Sequence, residues 1–475
     1  MIPQPGTTAG IGRAAAGLLV GIASILVTVH SQTAPAAEPL TPRPRLLVLT
    51  DIGGDPDDQQ SLIRLLLYAN ELELEGLIAT ASTLPDQNPP PAPRTDLIEQ
   101  LLDAYAQVWP RLQVHAPTYP PPDQLRRIVS AGNPRRGVAE VGPDHDTAGS
   151  RAIIHAGDRD DPRPLNIAIW GGQTDLAQAL WRVRQERGAA GLATFVRRLR
   201  VYDINDQDRI GDWLYQEFPG LFYVLANAER GQDKREGAYR GMYLGGDESL
   251  TSRQWVEHHV THDHGPLGAL YPTSTWTAPN PHATLKEGDT PSWFYFLPLG
   301  LSDPEHPEWG GWGGRFRRGP RGRYQDARDT VGQITDARAT VWRWRADYQA
   351  DFQARLDWCS ATRFADANHA PRAVVDDDRS RQIIMRSPRP GEQVTFSAAG
   401  SSDPDADQQL KFRWWVYEEP SHGATVALTG SDSAQLSVVM PAADVTRELH
   451  LVLEVRDTGT PSLVSYRRMV LRSEP

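Results

Sequence analysis

Four aspartates, Asp51, Asp55, Asp57 and Asp58, fall in the short stretch TDIGGDPDD at 50–58. Carboxylates crowded in this way repel one another unless something positive sits among them. Hard oxygen donors suit Ca2+ or Mg2+ better than zinc. A single aspartate in such a turn is usually a helix cap. Four of them, placed after a buried strand and around glycines, point to a metal or ligand site. Later loops carry further candidates. Asp206, Gln207 and Asp208 could bind substrate hydroxyls or cap a helix. Trp309, Trp312 and Arg315 could form a sugar platform or a structural cluster. His258, His259, His262 and His264 could hold a leaving group or zinc, although clustered histidines in a polar loop are more often solvated.

The elements that must position these groups are legible from hydropathy. Leu46–Leu49 is a continuous apolar run, as expected of a strand buried on both faces. Gly53-Gly54 permit a tight turn, and Pro56 suits the first turn of a helix. Asp57 and Asp58 then fall where the helix dipole favours negative charge, and Leu62, Leu65, Leu66 and Leu67 supply its apolar face. Strand patterns recur at 74–81, 165–170, 199–204 and 222–225, and helical patterns at 97–108, 147–155 and 174–187. Val114–Pro117 reads as a short strand. Strands alternating with helices imply an α/β fold, a mainly parallel open sheet with helices on both faces. Ligands bind beyond the C-terminal ends of such strands. Asp51, Ser82-Thr83, Gly171-Gly172 and 203–208 all fall there. Beyond residue 367 the pattern shifts to short alternating strands at 394–398, 411–417, 435–439 and 449–456, as in a C-terminal all-β sandwich of immunoglobulin-like type.

The chain of 475 residues is long enough for two domains or more. A formal charge of −11 argues against a nucleic-acid partner held by overall field. One cysteine, Cys359, excludes an intrachain disulfide framework and a cysteine zinc cluster. Arg13, the apolar run 14–29 and Ala34-Pro35-Ala36 have the form of a signal peptide with its cleavage site. The expected organisation is a signal peptide at 1–37, an α/β domain at 38–367 and a β-sandwich at 368–475. The mature protein is then secreted or periplasmic, with no stable membrane span after processing; an oligomer is compatible with the sequence.

TDIGGDPDD resembles the fingerprint of nucleoside hydrolases, D-x-D-P-G-x-D-D after the first strand. Asp51 matches its first Asp, and Asp57-Asp58 its last pair. Ile169–Leu180, IWGGQTDLAQAL, resembles the family's T-G-P-L-T-N segment. The whole mature chain, with EGDTPSW, WGGWGGRF and the immunoglobulin-like appendage, is similar to an exported, cellulose-binding-associated group on the nucleoside hydrolase fold. The resemblance implies Ca2+ as cofactor, ligated by Asp58 and the Trp170 carbonyl, with Asp57 meeting sugar hydroxyls. The family's third-position Asp, ligand and base, is Gly53 here, so Asp55 or Asp51 is the expected base and Asp55 a further ligand. Asp289 is the preferred late ligand and Asp263 the alternative. Thr83, with Ser82, stands where the family has a ribose-binding Asn. The implied activity is Ca2+-dependent hydrolysis of an N- or O-glycosidic bond in a carbohydrate or nucleoside. The alternative is a polysaccharide-binding protein on the same fold without turnover.

Overall fold

A computed structural model describes residues 1, 42–81, 92–274, 284–406, 408–422, 426–441 and 447–474. Thr83 and the signal-like segment from residue 2 to 37 lie outside them. The described residues from 42 onward belong to one compact unit. Its centre is a sheet of eight strands in the order β3-β2-β1-β4-β5-β6-β8-β7. These are β1 (Arg45–Thr50), β2 (Glu73–Ala79), β3 (Val129–Ala131), β4 (Leu165–Ile169), β5 (Leu199–Ile204), β6 (Phe222–Ala226), β7 (Phe316–Arg318) and β8 (Tyr324–Asp326). All neighbouring pairs are parallel except β7 with β8.

The apolar run of β1 is buried on both sides because its residues alternate between two cores. Leu46 and Val48 face one core with helices α1 (Asp57–Leu67) and α2 (Thr95–His115). Leu47 and Leu49 face the other, with helices Ala148–Asp158 and Gln173–Val196. Strand order reverses beside β1, whose neighbours are β2 and β4. A crevice forms at such a reversal because consecutive connections leave on opposite faces. Asp51 stands at that point.

The expected strand at Val114–Pro117 is a correction. Leu101, Tyr105, Val108, Leu112 and His115 are all buried, and their helical spacing carries α2 through His115 despite Pro110. The Gly- and Pro-rich stretch after residue 251 yields short helical turns, of which Thr290–Phe294 is buried throughout. Two further helices, Ala339–Trp342 and Arg345–Ser360, close the α/β part.

A hairpin, β9 (Asp329–Val331) with β10 (Ile334–Asp336), leads toward the C-terminal part. There β11 (Ile384–Arg386), β13 (Lys411–Val416), β16 (Arg447–Arg456) and β17 (Val464–Ser473) form one sheet. A second consists of β12 (Gln393–Ser397), β14 (Leu428–Thr429) and β15 (Gln435–Val439). Leu449, Leu451, Leu453 and Val455 alternate into the core between the sheets, with Trp414 and Phe396. On the opposite face, Val452, Tyr466 and Tyr417 join the core of the α/β part. Trp415 meets Trp344 at 5.9 Å between ring centroids. Buried Asp329 accepts from Arg315 Nε, an Arg343 guanidinium nitrogen and Tyr417 OH, each at 2.6 Å. The sandwich is therefore packed into the side of the α/β part by both apolar and ionic contacts.

One buried ion pair fixes the segment that follows residue 283. Arg64, on the inner face of α1, meets Glu287 at 2.5 and 3.0 Å, and both side chains are fully buried. Glu287 also accepts from Tyr271 OH at 2.6 Å and Thr290 Oγ1 at 2.8 Å. One turn earlier on α1, Gln60 donates to the carbonyls of Pro272 and Thr284 and accepts from the Lys286 amide. Removing one partner of such a pair leaves an uncompensated buried charge, at a cost of about 3–5 kcal/mol. Glu287→Gln should therefore lower the unfolding free energy by about that amount in a urea titration; a loss below about 1 kcal/mol, the size of an exposed pair, would contradict the burial described.

Candidate functional site

The site assembles from three chain segments. The first is the turn after β1. Gly53 adopts φ +100°, a conformation that suits glycine, and the chain folds back to start α1 at Asp57. Asp51, Asp55 and Asp58 are buried and Asp57 is half-buried. Thr50 Oγ1 donates to Asp58 Oδ1, tying strand end to helix start. The second segment is the end of β4. A Cβ on Gly171 would lie 2.8 Å from Asp51 Cγ, so the glycine leaves the room that the Asp51 side chain occupies. The third segment carries Asp289, 2% exposed. It is positioned by the Arg64–Glu287 pair and by a relay from β4, in which Trp170 Nε1 donates to Ser292 Oγ at 2.8 Å and Ser292 Oγ donates to the Asp289 carbonyl at 2.6 Å.

Asp57, Asp58 and Asp289 each offer a carboxylate oxygen within 4.8 Å of the others. Asp289 Oδ2 is buried and has no hydrogen-bond partner among the described residues. A buried carboxylate oxygen without a donor is costly, and a hard cation is the partner its chemistry fits. The electrostatics agree. Burial, then Asp57 and Asp208, push Asp51 up to about 7. Burial pushes Asp57 up to about 6 against the pull of Arg240. Asp58 and Asp289 are raised well above the usual carboxylate range, first by burial and then by the neighbouring aspartates. Positive charge acts against these shifts from Arg240, which favours ionisation of Asp57 and Asp289, from Lys286, and from Arg136 on the Asp51 side.

Several expected residues stand elsewhere. Asp55 is not among the clustered ligand oxygens; its Oδ2 contacts Lys286 Nζ. The Trp170 carbonyl accepts from Gln207 Nε2, and the Trp170 side chain, free to vary on the family resemblance, is the start of the relay to Asp289. Asp206 is engaged within the protein. Its Oδ1 accepts from the Gly211 amide and from Gln173 Nε2, both at 2.8 Å. Asp208 likewise accepts from the Thr174 amide and hydroxyl at 2.8 and 2.6 Å, at the start of helix Gln173–Val196.

The sugar platform is replaced by packing. Trp312 is 2% exposed, between Phe294, Tyr348 and Tyr466. Arg315 is held by Asp329. Trp309 is buried under His306, ring to ring at 3.9 Å. Asp263 is exposed and outside the acidic cluster, and His264 is hydrogen-bonded to Asp357 at 3.0 Å.

Sequence reasoning missed Lys286, Gln60, Arg64 and Arg240. For Arg64 the signal was present: a lone charge inside the apolar run 62–67 is a charge that must be buried and paired. Asp203, in the expected strand-end loop, is fully buried and accepts from Tyr223 OH at 2.5 Å and Gln173 Nε2 at 2.7 Å.

The comparisons with known proteins follow the same division of the chain. Residues 45–316 match the family described as Cellulose-binding Sde182, nucleoside hydrolase-like domain. Residues 393–473 match that described as Cellulose-binding protein Sde0182, C-terminal domain. A solved structure of a nucleoside hydrolase-related hypothetical protein from Saccharophagus degradans, described as associated with carbohydrate metabolism, is 35% identical. That match covers 91% of this chain and all of the other, with a TM-score of 0.76. No curated protein matches.

The raised acids give the metal-free protein a defined pH response. Below pH 3.8 Asp51 is protonated in both the folded and the unfolded chain; between that value and about 7 only the unfolded chain has released the proton. Stability attributable to Asp51 is therefore present at low pH and lost as pH rises through its folded value. Asp51→Asn should raise the melting temperature in EDTA at pH 8 and have little effect at pH 4. Equal effects at both pH values would contradict the burial of this carboxylate among like charges.

Proposed function

Since the chain belongs to the family described as Cellulose-binding Sde182, nucleoside hydrolase-like domain, we propose that it is an exported glycosyl hydrolase using a divalent cation, Ca2+ by donor chemistry, to cleave an N- or O-glycosidic bond of a carbohydrate. The observation that carries this reading is the buried trio Asp57, Asp58 and Asp289, with the free Oδ2 of Asp289 beside Asp51 at the strand-order reversal. The related protein's association with carbohydrate metabolism favours a sugar substrate, and the cellulose-binding description of both matched families favours an extracellular polysaccharide. No helix among the described residues is long and apolar enough to cross a membrane.

In this reading Asp57, Asp58 and Asp289 would hold the cation, and Asp57 would also meet a sugar hydroxyl. A bound divalent cation supplies a lowered pKa to water and a positive charge that holds the surrounding carboxylates ionised. Asp51 is the base. Asp55 is committed to Lys286, Gly53 carries no side chain, and Asp51 sits at the strand end against Gly171. Burial and its neighbours push Asp51 up to about 7 in the metal-free protein, and a bound cation would lower it from there toward the ionised form that a base needs. The remaining carboxylates stabilise positive charge developing on the sugar ring.

One observation favours the non-catalytic reading, a polysaccharide-binding protein. The residue that replaces the family's third-position Asp has no carboxylate, and Lys286 occupies the acid next in line. Turnover separates the two. With Ca2+ present, the wild type should release reducing sugar or free base from a panel of nucleosides and plant or algal glycans, and EDTA should abolish it. Asp51→Asn should cut turnover about 100- to 10,000-fold while keeping Ca2+ affinity, and Asp58→Ala should lose the ion while staying folded. Retention on cellulose with no release from any substrate would establish the binding reading instead.

A further inference from the structure

Lys286 has no counterpart among the roles assigned so far. It is 4% exposed, on the segment that also brings Glu287 and Asp289 to the site. Its ammonium contacts Asp55 Oδ2 and lies 3.5 Å from Asp57 Oδ2. Asp57 is also one of the three residues whose oxygens converge. A charged nitrogen and the proposed divalent cation would therefore address the same carboxylate. The backbone leaves Lys286 little freedom to withdraw, because its amide donates to Gln60 Oε1 at 2.7 Å and the next residue is locked to Arg64.

Resting on the metal-site reading above, we propose that Lys286 is a built-in counter-ion that competes with the divalent cation for Asp57 and so sets the metal affinity of the site. The side chain neutralises the Asp55–Asp57 edge. It also acts on Asp289 through space without a hydrogen bond, and Asp289 Oδ2 keeps no hydrogen-bond partner among the described residues. The apo protein can then fold with its acids crowded, and a divalent cation enters beside Asp289 and draws Asp57 away from the ammonium. The cost of that exchange weakens binding, so the site loads only where the ion is abundant, as outside a cell. Asp55, held beside the ammonium, receives the released positive charge and keeps Lys286 paired when the cation is present.

The test uses the full chain, titrated calorimetrically with Ca2+, Mg2+ or Mn2+, and melted in EDTA. Lys286→Met keeps the length of the side chain and the amide bond to Gln60. It should bind Ca2+ about tenfold tighter or more, the order expected when one nearby positive charge is removed from a cation site. It should also melt lower than wild type in EDTA and gain more from added Ca2+. Lys286→Arg, which keeps the charge, should stay near the wild-type affinity. Wild type that binds Ca2+ with Lys286→Met at equal or weaker affinity overturns the competition and leaves the metal site standing. No binding by either protein, with folded structure intact, overturns the metal reading as well.

Discussion

Everything at this site depends on one constraint: several carboxylates are buried where β1 opens, with too few cations to satisfy them. Asp51, Asp55, Asp58 and Asp289 are each at most 8% exposed, and Asp57 lies half-buried among them. Burying one unpaired charge is expensive, and burying several of the same sign is tolerable only through protonation, pairing or a bound cation. The chain uses two of these within reach of each other. Asp55 is paired with Lys286, and Asp51, Asp57, Asp58 and Asp289 are pushed toward protonation. The third remains available to the trio of Asp57, Asp58 and Asp289.

The rest of the fold serves to keep these acids together. Left alone, the carboxylates would swing outward. Gln60 and Arg64, on the inner face of α1, clamp the segment that carries Asp289, and the Trp170–Ser292 relay clamps it from the β4 side. Gly171 allows the end of β4 to touch Asp51. The β-sandwich contributes at a distance. By packing Tyr466 on Trp312, and Tyr417 on Asp329, it covers the aromatic layer beneath helix Thr290–Phe294.

Much of this was legible in the sequence, and the division between what was and was not has a physical basis. Asp58 and Asp289 were expected as ligands from the family resemblance; the β1 turn and the strand–helix alternation could be read because a buried apolar run and a crowd of like charges are local patterns that few arrangements of the chain can satisfy. Asp55 and Lys286 could not. Whether an aspartate faces a metal or a lysine 231 residues later is decided by how distant segments meet. Trp312 and Arg315 show the opposite limit. Aromatic and cationic residues in a glycine-rich stretch suit sugar binding and domain packing equally well, and only the position of Tyr466 and Asp329 decides for packing. The strand expected at Val114–Pro117 failed because the helical spacing of α2 continues to His115.

The most direct measurement is anomalous diffraction from crystals of the full chain grown with Mn2+, a heavier stand-in for Ca2+ at oxygen sites. One peak is expected, bounded by carboxylate oxygens of Asp57, Asp58 and Asp289 at ~2.0–2.6 Å from each, with Asp57 drawn away from the Lys286 ammonium, which stays against Asp55. A map with no peak there at millimolar ion, and Lys286 still bridging Asp55 and Asp57, would contradict a cation site built from these three acids.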